Sequence, residues 1–242
     1  MAAFDGALGW LTANPIAHRG LHDGNKTVAE NSIPAAEAAI AAGYAIECDV
    51  QLSADGTPFI FHDHTLQRLT GREADFRALD DEAIAGLRLA GTKAAIPTVA
   101  DFLATVAGRV PVVMELKGIG PDVDADYFAR LQPVLESYRG ELALMSFDPW
   151  LIDQMLAARP GRPIGLTATG NTPDAFAAHR QVFERGCDFS SYDIHHVPNP
   201  FTEWVRGKGA PLISWTVRTE AQIRISRDHC DQMTFEGIAP QQ

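Results

Sequence analysis

A closed (β/α)8 barrel forming a single α/β domain is the fold class the sequence predicts, and three observations carry it. Short apolar, β-type runs alternate with helical patterns along the whole chain. The strands are mostly apolar, as in a parallel sheet whose faces are covered by helices. The chain has 242 residues, a usual size for an α/β barrel built as one unit. Eight or nine strands in that length favour a closed barrel over an open doubly wound sheet.

The elements follow in order. The expected strands are 15–18, 45–52, 58–62, 110–117, 142–147, 164–167, 187–191, 212–217 and 232–235, each a short run rich in Val, Ile, Leu, Phe or Met. The first helix is expected over Ser32–Ala42, with Ser32 as N-cap and Pro34 in the first turn. A short helix is expected over Asp80–Leu89. Thr98 caps the next, Thr98–Ala107, and Asp101 sits in its first turn. Helices of the same style follow at Asp126–Tyr138, Pro149–Ala158, Pro173–Arg185, Asn199–Lys208 and Glu220–Arg227. Gly43, Gly108, Gly140, Gly161, Gly186 and Gly209 stand just past helical patterns, where a left-handed C′ residue belongs. No linker, low-complexity tract or repeat interrupts residues 1–242. The least regular segment, His64 to Ile96, reads as a small excursion packed against the barrel.

Bulk properties narrow the function. With 20 Lys and Arg against 31 Asp and Glu, the formal net charge is -11. That balance argues against nucleic acid or an anionic membrane as partner. It also requires a site for an anionic substrate to supply its own local positive charge. Cys48, Cys187 and Cys230 are odd in number and far apart, which disfavours a disulfide framework or a zinc site. The N-terminal stretch MAAFDGALGWLTANP lacks a basic start followed by an apolar core. No apolar run approaches the roughly 20 residues that span a bilayer. The expectation is a cytoplasmic protein without stable membrane association.

One stretch breaks the apolar pattern. IECDVQLSADGTPFIFHD, Ile46 to Asp63, reads as two buried strands around a turn at Ala54-Asp55-Gly56. The first carries Glu47 and Asp49 on one face, because side chains alternate with period two. Cys48 then faces the helices as a buried thiol. His62 ends the second of the two strands. Elsewhere His18 and Arg19 end the first strand, Glu115 and Lys117 share a face of VVMELKG, and Trp215 lies near the end of LISWTV. Barrel enzymes carry their working groups at the C-terminal ends of strands. Three converging carboxylates raise one another's pKa, and a divalent cation removes the conflict. The all-oxygen set Glu47, Asp49 and Glu115 suits one hard ion, Mg2+ or Ca2+. That ion, Arg19 and Lys117 would make a positive spot suited to a phosphate ester. His18 and His62 are placed to move protons. Taken singly, each has a plainer explanation: an inward Glu as an ion-pair partner, Glu115 with Lys117, a strand-end histidine as a hydrogen-bonded core group. Their convergence favours a functional site.

The same residues resemble the glycerophosphodiester phosphodiesterase family, over nearly the whole chain. IAHRG at Ile16–Gly20 is similar to its opening His-Arg-Gly motif, and AENS at Ala29–Ser32 to its Glu-Asn element. IECDVQLSADGTPFIFHD resembles its Glu-x-Asp strand and His-Asp strand end. IPTVADFL, MELKG and SWTV match further elements in the same order. The resemblance implies a TIM barrel and metal-dependent cleavage of small-molecule glycerophosphodiesters to glycerol 3-phosphate and an alcohol. It implies Glu47, Asp49 and Glu115 as metal ligands and His18 and His62 as the acid–base pair. Arg19 and Lys117 would bind phosphate, Glu30 and Asn31 would support the site, and Trp215 would line the glycerol side. The chain departs from the pattern late. Arg218 follows SWTV where the family usually has Asn, and HCDQMTFEGIAP, with Glu236, replaces the usual Thr-Asp-x-Pro ending. Related readings are a phosphatidylinositol-type phospholipase C, a sphingomyelinase-D-like phosphodiesterase, or a non-catalytic sugar-phosphate-binding barrel. An enolase-type enzyme fits less well, since the acids cluster on early strands. Of the other histidines, His195 and His196 are candidates for the rim. His22 and His64 flank the site in sequence, and His179 and His229 read as surface residues.

Overall fold

The computed structural model describes residues 7–240. The first six residues of the N-terminal stretch read above lie outside the described residues. The strands are β1 (Ile16–Ala17), β2 (Ala45–Leu52), β3 (Pro58–Ile60), β4 (Val112–Leu116), β5 (Leu142–Ser146), β6 (Ile164–Ala168), β7 (Phe189–Asp193), β8 (Leu212–Val217) and β9 (Gln232–Phe235). Eight of them pair in parallel in the order β1-β9-β8-β7-β6-β5-β4-β2, and β1 pairs again with β2, which closes the barrel. The protein is a single-domain (β/α)8 TIM barrel.

The exception is β3. It runs antiparallel to β2, with Val50 opposite Ile60 and Leu52 opposite Pro58, and so lies outside the closed ring. The expected third barrel strand is therefore the return arm of a hairpin. The reason is chain length: only five residues, Ser53–Thr57, separate the two strands, and a parallel crossover needs a dozen or more. Doubling back carries the chain alongside Asp49, where Phe61 N donates to Asp49 O at 2.9 Å. His62 thus reaches the mouth of the barrel without belonging to a barrel strand.

The helices cover the outside: α1 (Ile33–Ala42), α2 (Gln67–Thr70), α3 (Asp81–Ala85), α4 (Val99–Val106), α5 (Tyr127–Ser137), α6 (Pro149–Ala158), α7 (Pro173–Phe183), α8 (Pro200–Gly207) and α9 (Glu220–His229). Ser32 accepts from Ala35 N, Thr98 from Asp101 N and Thr172 from Ala175 N, so side chains cap these starts. α3 is shorter than the sequence suggests and stops before Gly86. Gly140 is not a helix-ending glycine of the expected kind. α5 ends at Ser137, and a Cβ at Gly140 would stand 2.7 Å from the Cα of Gly108. Its smallness serves a close approach of two loops.

Strand parity sorts the core into two. Ile46, Cys48, Val50, Met114, Leu144 and Leu166 face outward and pack with the helices. Ile16, Ala45, Val113, Ala143, Phe189 and Ile213 face inward and fill the lower barrel, closed beneath by Leu11. Continuing the inward parity two residues further reaches His18, Glu47, Glu115 and Ser191, with Met145 and Trp215 at the same level on β5 and β8. Residues 64–96 carry α2, α3 and two 3-10 turns, and their apolar side chains join Phe59 and Phe61 in a separate cluster around Phe76. Among the described residues no helix is long and apolar enough to cross a membrane.

Candidate active site

A cavity of about 230 Å3 opens at the C-terminal end of the barrel strands. His18, Arg19, Glu47, Asp49, His62, Glu115, Lys117 and Trp215 all line it, so eight of the ten residues given site roles from the sequence meet in one place. The other two, Glu30 and Asn31, lie one layer behind: Glu30 accepts from Arg19, and Asn31 Nδ2 donates to Asp49 Oδ2 at 2.8 Å while its Oδ1 accepts from Asp49 N at 3.3 Å. Met145, Phe147, Ser191, Thr216, Arg218 and Thr234 line the rest of it. Trp215 is held there by its Nε1, which donates to Ser191 O at 3.2 Å, and by an edge-on contact with Phe147 at 5.4 Å.

The carboxylates are where parity puts them. β2 and β4 pair with Asp49 opposite Glu115, so Glu47, Asp49 and Glu115 share the inner surface of two adjacent strands. All three are buried, and each offers an oxygen within 4.8 Å of the others. Burial and then the charges of Asp49 and Glu115 push the Glu47 carboxyl well above its usual range. Burial also raises Glu115, against the pull of Lys117. Asp49 is driven the other way: Lys117, His62 and Arg19 outweigh its burial and hold it far below the usual carboxylate range. The set suits a hard cation, because the donors are all oxygen and two of them are strained by their own proximity.

The two cations are partly engaged by this same cluster. Lys117 Nζ pairs with Glu115 Oε1 and, at 3.2 Å, with Asp49 Oδ1. Burial opposes the Lys117 charge, but Asp49 and Glu115 overcome it and raise its pKa. Arg19 donates from its backbone N to Glu47 Oε2 at 2.9 Å and from Nη1 to Glu30 Oε1 at 2.6 Å, and its Nε lies 3.4 Å from Asp49 Oδ2. Arg19 and Asn31 both adopt left-handed backbone conformations, φ 57° and φ 52°, and Asn31 N donates to Arg19 O at 2.8 Å. Gly20, at φ 78°, follows because a Cβ there would sit 2.8 Å from that of Ala35 in α1.

Each histidine is held through Nδ1. His18 Nδ1 lies 2.6 Å from Glu236 Oε2, and its Nε2 lies 3.9 Å from Glu47 Oε2. Burial lowers the His18 pKa despite that carboxylate. His62 Nδ1 lies 2.7 Å from Asp63 Oδ1. Asp63 is gripped by Arg68, Nε to Oδ2 at 2.6 Å and Nη2 to Oδ1 at 2.9 Å. Gln51, the next inward residue after Asp49, donates from Nε2 to Phe61 O at 3.2 Å and Asp63 O at 2.6 Å, fixing the segment that presents His62.

Glu236, Asp63, Arg68 and Gln51 were not assigned roles from the sequence. Asp63 and Gln51 were findable, one as the neighbour of His62 and the other by extending the parity of Glu47 and Asp49. Arg68 lies in the irregular excursion, where no period locates a side chain. Among the other histidines, His195 and His196 sit on a 3-10 turn after β7 and hydrogen-bond to Asp193 and Thr169 rather than lining the cavity. His179 is half-buried against the rings of Tyr192 and Phe201, which its helical position did not suggest.

Glu30 ties the two sides together, accepting from Arg19, Asn25 and both Nη atoms of Arg68. Burial opposes its charge, but Arg68, Arg19 and Asn25 outweigh that and hold the carboxyl at about 2. A folded pKa below the unfolded one contributes stability above the unfolded value of roughly 4.3, lost as the pH falls through the folded value. Thermal melts of the native chain should therefore fall steeply between pH 4.5 and about 2. Glu30→Gln should melt lower at pH 7 and lose less on acidification. Parallel melting curves for the two proteins would contradict this.

The chain matches the model of the glycerophosphoryl diester phosphodiesterase family over residues 18–238. It is 26% identical over 217 residues to a glycerophosphodiester phosphodiesterase of Caldanaerobacter subterraneus subsp. tengcongensis, covering 84% of each chain. It is 25% identical to glycerophosphodiester phosphodiesterase 1 of Rattus norvegicus, covering 84% of this chain and 71% of that one. Its fold is similar to that of an Oleispira antarctica phosphodiesterase solved in complex with the product sn-glycerol-3-phosphate, with TM-score 0.81, 20% identity and 93% and 94% of the two chains covered. A glycerophosphodiester phosphodiesterase from Thermotoga maritima superposes with TM-score 0.73 at 21% identity, over 91% of this chain and 92% of that one.

Proposed function

The chain belongs to the glycerophosphoryl diester phosphodiesterase family, and from that premise we propose that it releases glycerol 3-phosphate and an alcohol from glycerophosphodiesters by two-histidine acid–base catalysis, with one divalent cation, Mg2+ or Ca2+, at Glu47, Asp49 and Glu115. It is a phosphoric diester hydrolase. The observation that supports the mechanism most is the shared cavity, where both histidines face the acidic triad and two cationic side chains. The likeness to a structure holding sn-glycerol-3-phosphate supports the product.

With Nδ1 occupied by a carboxylate, each imidazole offers Nε2 to the substrate. One Nε2 takes the proton of the glycerol 2-hydroxyl as its oxygen attacks phosphorus. The other histidine gives a proton to the departing alcohol oxygen, leaving a five-membered cyclic phosphate. Water then opens the ring with the two roles exchanged. The attack is intramolecular, which removes the entropic cost of bringing a nucleophile to the phosphate. Arg19 and Lys117 hold the phosphoryl oxygens and offset their growing charge. Glu47, Asp49 and Glu115 would hold the cation, which when bound would offset the phosphate charge as a Lewis acid and relieve the repulsion among the three carboxylates. Trp215, with Phe147 edge-on against it, lines the glycerol side.

The test is a panel of glycerophosphodiesters carrying choline, ethanolamine, inositol or glycerol, with coupled detection of glycerol 3-phosphate. Turnover is expected with at least one, reduced by chelation and restored by Mg2+ or Ca2+. Glu47→Gln, Asp49→Asn and Glu115→Gln should each raise the ion concentration needed. Full activity after exhaustive chelation would remove the cation from the scheme. Binding without turnover across the panel would favour a sugar-phosphate-binding barrel.

A further inference from the structure

Arg218, and Glu236 within the atypical C-terminal ending, meet at His18. β1, β9 and β8 are neighbours, and Ala17, Phe235 and Val217 stand in register across them. The next residue on each strand is therefore His18, Glu236 and Arg218, a row across three strand ends. Backbone bonds lock the row: His18 N donates to Phe235 O at 3.0 Å, and Glu236 N to Val217 O at 3.0 Å. His18 Nδ1 lies 2.6 Å from Glu236 Oε2, and Arg218 Nη2 donates to that same oxygen at 2.9 Å.

The other histidine carries the same arrangement by an unrelated route. Asp63 Oδ1 meets both His62 Nδ1, at 2.7 Å, and Arg68 Nη2, at 2.9 Å. There the three residues come from one irregular segment and here from three barrel strands. Two different backbones converge on one local chemistry, an arginine and an imidazole sharing a single carboxylate oxygen. Packing needs alone do not produce that repetition.

We propose that Glu236 and Arg218 are positioning residues for His18, Glu236 fixing the Nδ1–H tautomer and the direction of Nε2, and Arg218 fixing Glu236. This rests on the diesterase reading above. An ionised carboxylate accepts a hydrogen bond and cannot donate one, so the imidazole must carry its proton on Nδ1. Its Nε2 lone pair then faces the Glu47 side of the cavity, where the proton is taken. Arg218, with its side chain half exposed at the rim, acts through Glu236: its guanidinium limits the rotamers of a carboxylate otherwise held only by the imidazole. Arg218 N is itself anchored to Gln222 Oε1 at 2.8 Å, at the start of α9. The His18 row is the looser of the two, because Arg68 is clamped a second time by Glu30, whereas Arg218 lines the cavity with its side chain half exposed.

The experiment combines kinetics with nitrogen NMR of 15N-histidine-labelled protein. Glu236→Ala should lower kcat by about 10-fold to 100-fold, the range for outer partners that orient a working group, and leave KM within about threefold. Glu236→Asp, which keeps the carboxylate, should recover part of the loss. Arg218→Ala should lower kcat by roughly 10-fold in the native background and by less than about twofold in Glu236→Ala, since residues acting in series are not additive. The NMR should show the Nδ1–H tautomer of His18 in the native protein and a mixture in Glu236→Ala. An unchanged kcat or an unchanged tautomer in Glu236→Ala overturns the proposal. Arg218→Ala effects that multiply with Glu236→Ala, or that fall on KM alone, overturn the role of Arg218 and make it a substrate contact. The tautomer measurement needs no substrate, so it decides the positioning claim even if the panel shows no diester turnover. Thermal melts confirm that each variant is folded.

Discussion

Replacing His18 or His62 by alanine should lower turnover by at least about 100-fold, the low end for loss of a general acid or base, while the protein stays folded. The size follows from the scheme: the pair exchanges roles between ring formation and ring opening, so each is needed in both steps. The survival of the fold follows from the neighbours. Removing His62 leaves Asp63 on Arg68, and removing His18 leaves Glu236 on Arg218. Neither substitution strands a carboxylate without a partner, which is the usual route by which breaking a buried ion pair destabilises a protein. Neither histidine belongs to the two apolar cores. The measurement is steady-state turnover across pH on the best diester of the panel, with melts alongside. Near-native turnover by either variant would mean that only one histidine moves protons.

A substrate lacking the glycerol 2-hydroxyl should bind but fail to turn over. In the proposed scheme that hydroxyl supplies the attacking oxygen, and its loss leaves the proposed phosphate contacts to Arg19 and Lys117 in place. The effect therefore falls on kcat far more than on affinity, the signature of an interaction realised only in the transition state. A 2-deoxyglycerol phosphodiester should act as a competitive inhibitor with a Ki near the KM of the parent diester. With the parent diester, phosphorus NMR should show a transient cyclic phosphate. The alternative is direct attack by water, which an ion at a site of three carboxylates on two neighbouring strands is less suited to promote than a two-ion centre. Comparable turnover of the deoxy analogue would establish direct water attack, and His18 and His62 would need new roles.

The barrel and the convergence of its polar residues were legible because both follow from periodicity. Alternation puts Ala45, Glu47 and Asp49 on one face and Ile46, Cys48 and Val50 on the other, and the two cores divide along that line. The starts of α1 and α4 were legible because Ser32 and Thr98 carry the chemistry of a cap. The direction of β3 was misjudged because an apolar run reads alike in either orientation; the five-residue turn held the answer. The partners of the histidines were missed for a different reason. Glu236 and Arg218 come together through the lateral register of three strands, which a single sequence does not display. Arg68 sits in a segment whose conformation is set by its apolar cluster and not by a repeat.

The left-handed backbone at Arg19 and Asn31 bears on what substitutions there would do. An arginine in that conformation costs about 1–2 kcal/mol relative to the right-handed one, an asparagine less because its short polar side chain hydrogen-bonds locally, and glycine would relieve the conformation at either position. Glycine would leave Glu30 and Asp49 without the arginine, and Asp49 without the amide that braces it. Breaking the pairs of buried carboxylates typically costs about 3–5 kcal/mol, more than the relaxed backbone returns, so glycine at either position should lower thermal resistance. The strain at these two residues is therefore held in place by the ion pairs and amide contacts it makes possible, and relieving it would weaken the fold as well as the site.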